Sequence, residues 1–228
     1  MSIRAIFFDF NGVLVDDEHV HFELFREVLA DEGVTLDEST YHEKYLGYDD
    51  KGCFSAALLD QGREASAGLV ACLIAKKATR YTEVAESGLR FFPFAAESIA
   101  LLSQARPVAI CSGALRAEIE YALKRLGVRE NVISITSAED TTRCKPDPQG
   151  YLLALDRVRS LHSELLAEQC LVIEDSLAGV QAARSAGMIA VGITHTYSAD
   201  ELTAAGATAI VQSLQTVSPQ WIDTHACS

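Results

Sequence analysis

Six short apolar runs set what this chain can fold into. They are Ala5–Phe8, Val108–Cys111, Val132–Ile135, Leu171–Ile173, Ile189–Ile193 and Ala209–Val211. Short continuous apolar runs suit strands buried on both faces of a parallel sheet. Helical patterns ending in glycine lie between most of them: Leu115–Leu126 stops at Gly127 and Ala178–Ala186 at Gly187. Strand–helix alternation from Pro107 onward predicts an α/β fold with a Rossmann-like, doubly wound parallel sheet.

Between the first two runs the texture changes. Asp17–Glu32 places Val20, Leu24, Phe25, Val28 and Leu29 at helical spacing. Further helical segments are expected near Glu38–Tyr45, Gly52–Gln61 and Ala65–Ala85, with no strand pattern from Asp17 to Leu89. The expectation is a core made of residues 1–16 plus 90–228 and an inserted all-helical cap over 17–89, with hinges near Asp16–Asp17 and Gly88–Pro93.

A chain of 228 residues can bury one full core and carry a small second domain. Its 32 acidic and 19 basic residues leave 32 − 19 = 13 net negative charges, which argues against nucleic acid and anionic membranes as partners. A phosphorylated ligand would need local positive charge from a metal, a lysine or helix N-termini. No apolar run approaches the roughly 18 residues of a membrane span, and the start does not read as a signal peptide. Six scattered cysteines, Cys53, Cys72, Cys111, Cys144, Cys170 and Cys227, contain no C-x-x-C pair. That usage fits reduced thiols in a cytoplasmic protein, and a monomer or weak dimer is expected.

Four segments carry chemistry, each at the carboxyl end of an expected strand or just before a helix. Ile6-Phe7-Phe8-Asp9-Phe10-Asn11-Gly12 delivers Asp9 to the sheet edge where open α/β folds place ligands; read alone, Asp9 could equally bond to the turn that follows. Val108–Cys111 runs into Ser112-Gly113 and an expected helix start, an anion site or a simple helix cap. Lys145 sits in Cys144-Lys145-Pro146-Asp147-Pro148, a stiff turn before a helix. An ammonium fixed there suits charge neutralisation, although a lysine is usually solvated. Leu171-Val172-Ile173-Glu174-Asp175-Ser176 ends a strand on adjacent carboxylates, which a hard cation such as Mg²⁺ would reconcile. A helix N-terminus alone would ask for one acid, with Ser176 as its cap.

Together, in this order, the four segments resemble the motifs of the haloacid dehalogenase superfamily. The likeness spans nearly the whole chain. It is strongest to the branch with a helical cap, which includes β-phosphoglucomutases, phosphoglycolate phosphatases and sugar-phosphate phosphatases. The resemblance implies that Asp9 attacks phosphorus and forms an aspartyl-phosphate. It implies that Ser112, Gly113 and Gly12 hold phosphate oxygens and that Lys145 pairs with Asp9 and the phosphoryl group. Asp9, the backbone carbonyl of Asn11, Glu174 and Asp175 would hold Mg²⁺. The expected partner is a small phosphorylated metabolite, and the expected activity is phosphate monoester hydrolysis.

One position departs from the pattern. Asn11 stands where the superfamily has an acid/base aspartate, and an amide cannot shuttle a proton at neutral pH. Another group could serve, with Asp16, Asp17, His19 and His21 just beyond the turn. Alternatively the chain is a weak catalyst or a phospho-ligand-binding or regulatory protein. As a third possibility Asn11 is engineered, or deamidates in its Asn-Gly context. His19 and His21, two apart on a helix, point in different directions and would not share one ion; His21 matches a cap-hinge histidine of the mutases. A mutase remains a further reading, but mutases place an arginine after a cap glycine. Here Leu46-Gly47-Tyr48-Asp49-Asp50-Lys51 offers two acids, with Lys51 nearby.

Overall fold

The computed structural model describes residues 2–225; Cys227 lies outside them. The order of elements is β1 Ala5–Phe8, α1 Glu18–Ala30, α2 Glu38–Thr40 with a π-turn over Tyr41–Tyr45, α3 Asp50–Asp60, α4 Ala67–Gly88 and α5 Ala95–Ser103. There follow β2 Val108–Cys111, α6 Arg116–Arg125, β3 Val132–Thr136, α7 Gln149–Arg159, β4 Cys170–Glu174, α8 Leu177–Ser185, β5 Ile189–Ile193, α9 Ala199–Ala204, β6 Ala209–Val211 and α10 Pro219–His225. All six expected strands form. The chain separates into two compact units, residues 1–15 with 91–228 and residues 16–90.

In the first unit the six strands make one parallel sheet in the order β3-β2-β1-β4-β5-β6. The chain steps outward from β1 to β3, then returns to lay β4 on the other side of β1. That reversal is the topological switch point at which such sheets open a crevice. Register puts its residues level: Phe8 pairs with Ile110 on one side and Ile173 on the other. The next residues, Asp9, Cys111 and Glu174, therefore leave the sheet side by side. The central strands are fully buried, as their unbroken apolar sequences require. Tyr151, Ala154, Leu155 and Val158 of α7 pack with Phe7, Ala109 and Val172 in the core of this unit.

The second unit is wholly helical. Phe22, Phe25, Val28 and Leu29 of α1 meet Phe54 and Leu58 of α3 and Leu73 of α4, with Phe25 edge-on to Phe54 at 4.9 Å. Several expected helix bounds shift, with α3 starting at Asp50 where Gly52 was expected. Ser66, whose hydroxyl accepts from the Leu69 amide, starts α4 two residues late. The segment expected as one helix over Glu38–Tyr45 loosens into a π-turn, where the Leu46 amide bonds to the Tyr41 carbonyl. Tyr41 is thereby seated against Phe22 and Phe25, while the Tyr45 hydroxyl donates to Asp60.

A chain of polar groups crosses this apolar interior. Lys77 is fully buried; its ammonium lies 2.5 Å from Asp50, 2.8 Å from His21 Nδ1 and 4.4 Å from the Phe25 ring centre. An ammonium only donates, so Nδ1 accepts, and Nε2 faces Asp17 at 3.2 Å. Tyr81 donates to the same Asp17 carboxylate at 2.6 Å. Breaking a buried pair leaves an uncompensated charge. Lys77→Ala is therefore expected to destabilise the unit by about 3–5 kcal/mol, and Lys77→Met with Asp50→Leu to recover most of it. Urea unfolding of the three proteins checks this.

Candidate active site

The switch point gathers four of the sequence-predicted residues. Lys145 Nζ lies 2.8 Å from Asp9 Oδ1 and 2.5 Å from Glu174 Oε1. The carboxylates of Asp9, Glu174 and Asp175 approach within 4.8 Å of one another, and all three are buried. Each arrives on a stretch the sequence shapes for it. The Asp9 amide bonds to the Ile173 carbonyl, extending the β1–β4 ladder by one residue. Glu174 is the last residue of β4. Asp175 follows, and Ser176 caps α8 by accepting from the Gly179 amide at 3.0 Å. The expected Ser176 cap forms, and its hydroxyl also donates to Glu174 Oε2 at 2.9 Å.

Two glycines make this crowding possible. Gly12 adopts φ +73°, and a Cβ there would overlap the Asp175 carboxylate; a Cβ on Gly179 would overlap that of Glu174. Asn11 and Gly12 form the turn that follows Asp9, with the Gly12 amide bonded to the Val15 carbonyl at 2.9 Å.

Electrostatics follow from burial. Desolvation foremost, then the neighbouring Glu174 charge, pushes Asp9 up to about 6, against the opposing pull of Lys145. Asp175 is raised well above the carboxylate range, again by burial first and then by Glu174 and Asp9. Burial alone would lower Lys145, but Asp9 and Glu174 more than reverse that and hold it firmly protonated. The Tyr151 hydroxyl is kept protonated by burial and by Glu174, to which it donates at 2.8 Å. Cys111, beside Ser112, is pushed up to about 12 by burial, so no thiolate competes as a nucleophile.

Three carboxyl groups crowd one ammonium in a desolvated space, so holding all three ionised calls for further positive charge. Asp9 Oδ1 is buried and has the Lys145 ion pair but no hydrogen bond of good geometry. An all-oxygen donor set with this charge fits a hard divalent cation of the Mg²⁺ type.

The remaining sequence candidates fall as follows. Ser112 is buried past the end of β2, its amide bonded to Thr136 and its hydroxyl accepting from the Ala114 amide; Gly113 is exposed. The helix expected over Leu115–Leu126 forms as Arg116–Arg125, with Leu115 before it and the Leu115 amide bonded to the Glu118 side chain. Ser112 therefore sits in a loop and is not the helix cap. Asp16, His21 and Lys51 belong to the helical unit: Asp16 pairs with Arg90 at 2.8 Å, His21 with Lys77 and Asp17, and Lys51 is an exposed first-turn residue of α3. His19 is exposed.

Three side chains that complete the cluster were not singled out in the sequence. Tyr151 comes from the middle of α7, where only packing reveals it. His195 and Thr196 follow β5, and the rule that found the other residues, polar groups just past a strand's carboxyl end, reaches them once applied to the fifth strand. Thr196 donates to Asp175 and His195 Nδ1 lies 2.8 Å from the Gly12 carbonyl.

A buried aspartate, a lysine bridge and an acidic pair thus meet at the switch point of a doubly wound sheet. The haloacid dehalogenase-like hydrolase family model matches residues 3–187, and the chain belongs to that family as a phosphoric monoester hydrolase. It is 29% identical over 200 residues to the validoxylamine A 7'-phosphate phosphatase of Streptomyces hygroscopicus subsp. limoneus, covering 87% of this chain and 89% of that protein. It is 28% identical over 195 residues to the fructose-1-phosphate phosphatase YqaB of Escherichia coli, covering 83% and 95%. Among solved structures, CbbY of Rhodobacter sphaeroides in complex with phosphate superposes with a TM-score of 0.80 at 26% identity over 93% of this chain and 95% of that one. No helix among the described residues is long and apolar enough to cross a membrane.

Proposed function

We propose that the chain hydrolyses the phosphate monoester of a small phosphorylated sugar or of phosphoglycolate, through an aspartyl-phosphate on Asp9 and with a divalent cation of the Mg²⁺ type. The observation that carries this reading is the Asp9–Lys145–Glu174–Asp175 cluster at the switch point. The substrate class rests on the relatives, named as phosphatases of phosphorylated carbohydrates and of phosphoglycolate.

Asp9, Glu174, Asp175 and the Asn11 carbonyl would hold the cation, which supplies charge stabilisation to the phosphoryl oxygens. An Asp9 oxygen attacks phosphorus, the bond from phosphorus to the ester oxygen breaks, and the oxygen leaves with the electron pair and takes its proton from solvent. Lys145 keeps the Asp9 carboxylate oriented and offsets charge on the transferring group. Ser112 and the Gly113 amide are proposed to hold phosphate oxygens. Water then attacks the aspartyl-phosphate and restores Asp9. The helical unit, residues 16–90, is proposed to be the cap that excludes water during the first step.

Asn11 limits both halves. An amide neither protonates a departing alkoxide nor deprotonates the attacking water. Asp16 and Asp17, the carboxylates next in sequence, are engaged by Arg90 and by Tyr81 with His21. The reading therefore includes slow turnover on sugar alcohols. A phospho-ligand-binding protein is the second reading, favoured by the same residue.

Phosphate release from a panel of sugar phosphates, phosphoglycolate and an aryl phosphate tests this. Release above background on at least one alkyl phosphate, lost in EDTA and restored by Mg²⁺, is expected. Tight phosphate-ester binding without multiple turnover would move the assignment to the binding reading.

A further inference from the structure

We propose that His195 and Thr196, on the turn after β5, are positioning residues for this site, one for the nucleophile's loop and one for the cation-holding carboxylate. The inference rests on the functional reading above and adds residues to it.

The geometry is a closed frame. The Gly12 carbonyl can only accept, so His195 Nδ1 carries the proton and donates to it at 2.8 Å. The imidazole ring stacks on Phe92, with centroids 3.8 Å apart and planes 11° from parallel. Phe92 is tied back to the same turn, its amide donating to the Leu14 carbonyl at 3.0 Å, while Val15 and Phe91 form an antiparallel bridge. The His195 amide bonds to Ile193 at 2.9 Å, anchoring the ring to the end of β5. The loop carrying Asn11 and Gly12 is thus held from two sides, by the Phe91–Phe92 segment and by the residues that follow β5.

One residue later the Thr196 hydroxyl donates to Asp175 Oδ2. That oxygen also faces Gly12, whose missing side chain makes room for it. The hydrogen bond to Oδ2 fixes the orientation of the carboxylate that Asp175 presents to Asp9 and to a cation. Groups that orient a ligating carboxylate in this way typically contribute 10–100-fold to metal affinity.

The test separates the two residues and reads binding as well as turnover. Mg²⁺ alone is titrated calorimetrically into the full chain, into Thr196→Val and into Thr196→Ser. Val is expected to weaken Mg²⁺ about 10–100-fold, and Ser to restore it. For His195, the Asn amide nitrogen stands near the Nδ1 position while that of Gln reaches further out. His195→Asn is expected to keep kcat on the aryl phosphate, and His195→Gln and His195→Phe to lower kcat with little change in KM. Thermal melting of every variant separates this from general unfolding. Unchanged Mg²⁺ affinity in Thr196→Val, or equal kcat in the Asn and Gln variants, overturns the proposal while leaving the functional reading standing. A parent chain that binds no Mg²⁺ overturns both.

Discussion

Asp9→Asn abolishes phosphate release, by on the order of 10⁴–10⁶-fold, the scale on which removal of a covalent nucleophile is felt. The substitution keeps shape and hydrogen-bonding capacity and removes one charge and the nucleophilic oxygen. Packing survives, because Lys145 retains Glu174 at 2.5 Å and Glu174 retains Tyr151 and Ser176. Relief of the crowding among three buried carboxylates works in the same direction, so the melting temperature is expected to hold or rise. Steady-state phosphate release and thermal melting, measured together, distinguish this from a variant that has merely unfolded. Activity within tenfold of the parent would remove Asp9 from the chemistry.

Asn11→Asp acts in the opposite direction. Restoring a proton donor is worth ~10²–10⁴-fold, and the gain depends on the leaving group. A sugar hydroxyl leaves as a poor alkoxide and needs the proton, whereas an aryl phosphate releases a stable phenolate. The ratio of alkyl to aryl turnover should therefore rise by about 10²-fold or more. Mg²⁺ affinity should change little, since the proposed contribution of residue 11 to the cation is a backbone carbonyl. A uniform gain across leaving groups would show that the substitution repaired binding or loop geometry. No gain at all would mean that another group already carries the proton.

Much of the fold was legible in the sequence because parallel strands buried on both faces cannot hide. All six runs form strands, and Asp9, Glu174 and Asp175 come together since β1 and β4 are neighbours in register, with Lys145 reaching them from the turn before α7. What escaped the sequence depends on packing. Nothing in Gln149–Arg159 marks Tyr151 as the partner of Glu174, because only the seating of α7 on the sheet turns that hydroxyl inward. Ser112 does not cap α6, because its hydroxyl lies three residues ahead of Leu115, whose amide is bonded by the Glu118 side chain. In the helical unit, nothing in the sequence of α4 marks Lys77 as buried. Its burial depends on three partners, Asp50, His21 and Phe25, contributed by two other helices.

The central claim is that the phosphoryl group passes through Asp9, and the most direct measurement is of the acid-quenched enzyme during turnover. With Asn11 in place, hydrolysis of the acyl phosphate lacks its general base, so the intermediate should accumulate. Peptide mapping by mass spectrometry after the quench is predicted to find phosphate on the peptide carrying Asp9, absent without Mg²⁺ and absent in Asp9→Asn. Steady phosphate release with no acyl phosphate on Asp9 at any quench time, or phosphate on another residue, would contradict the account.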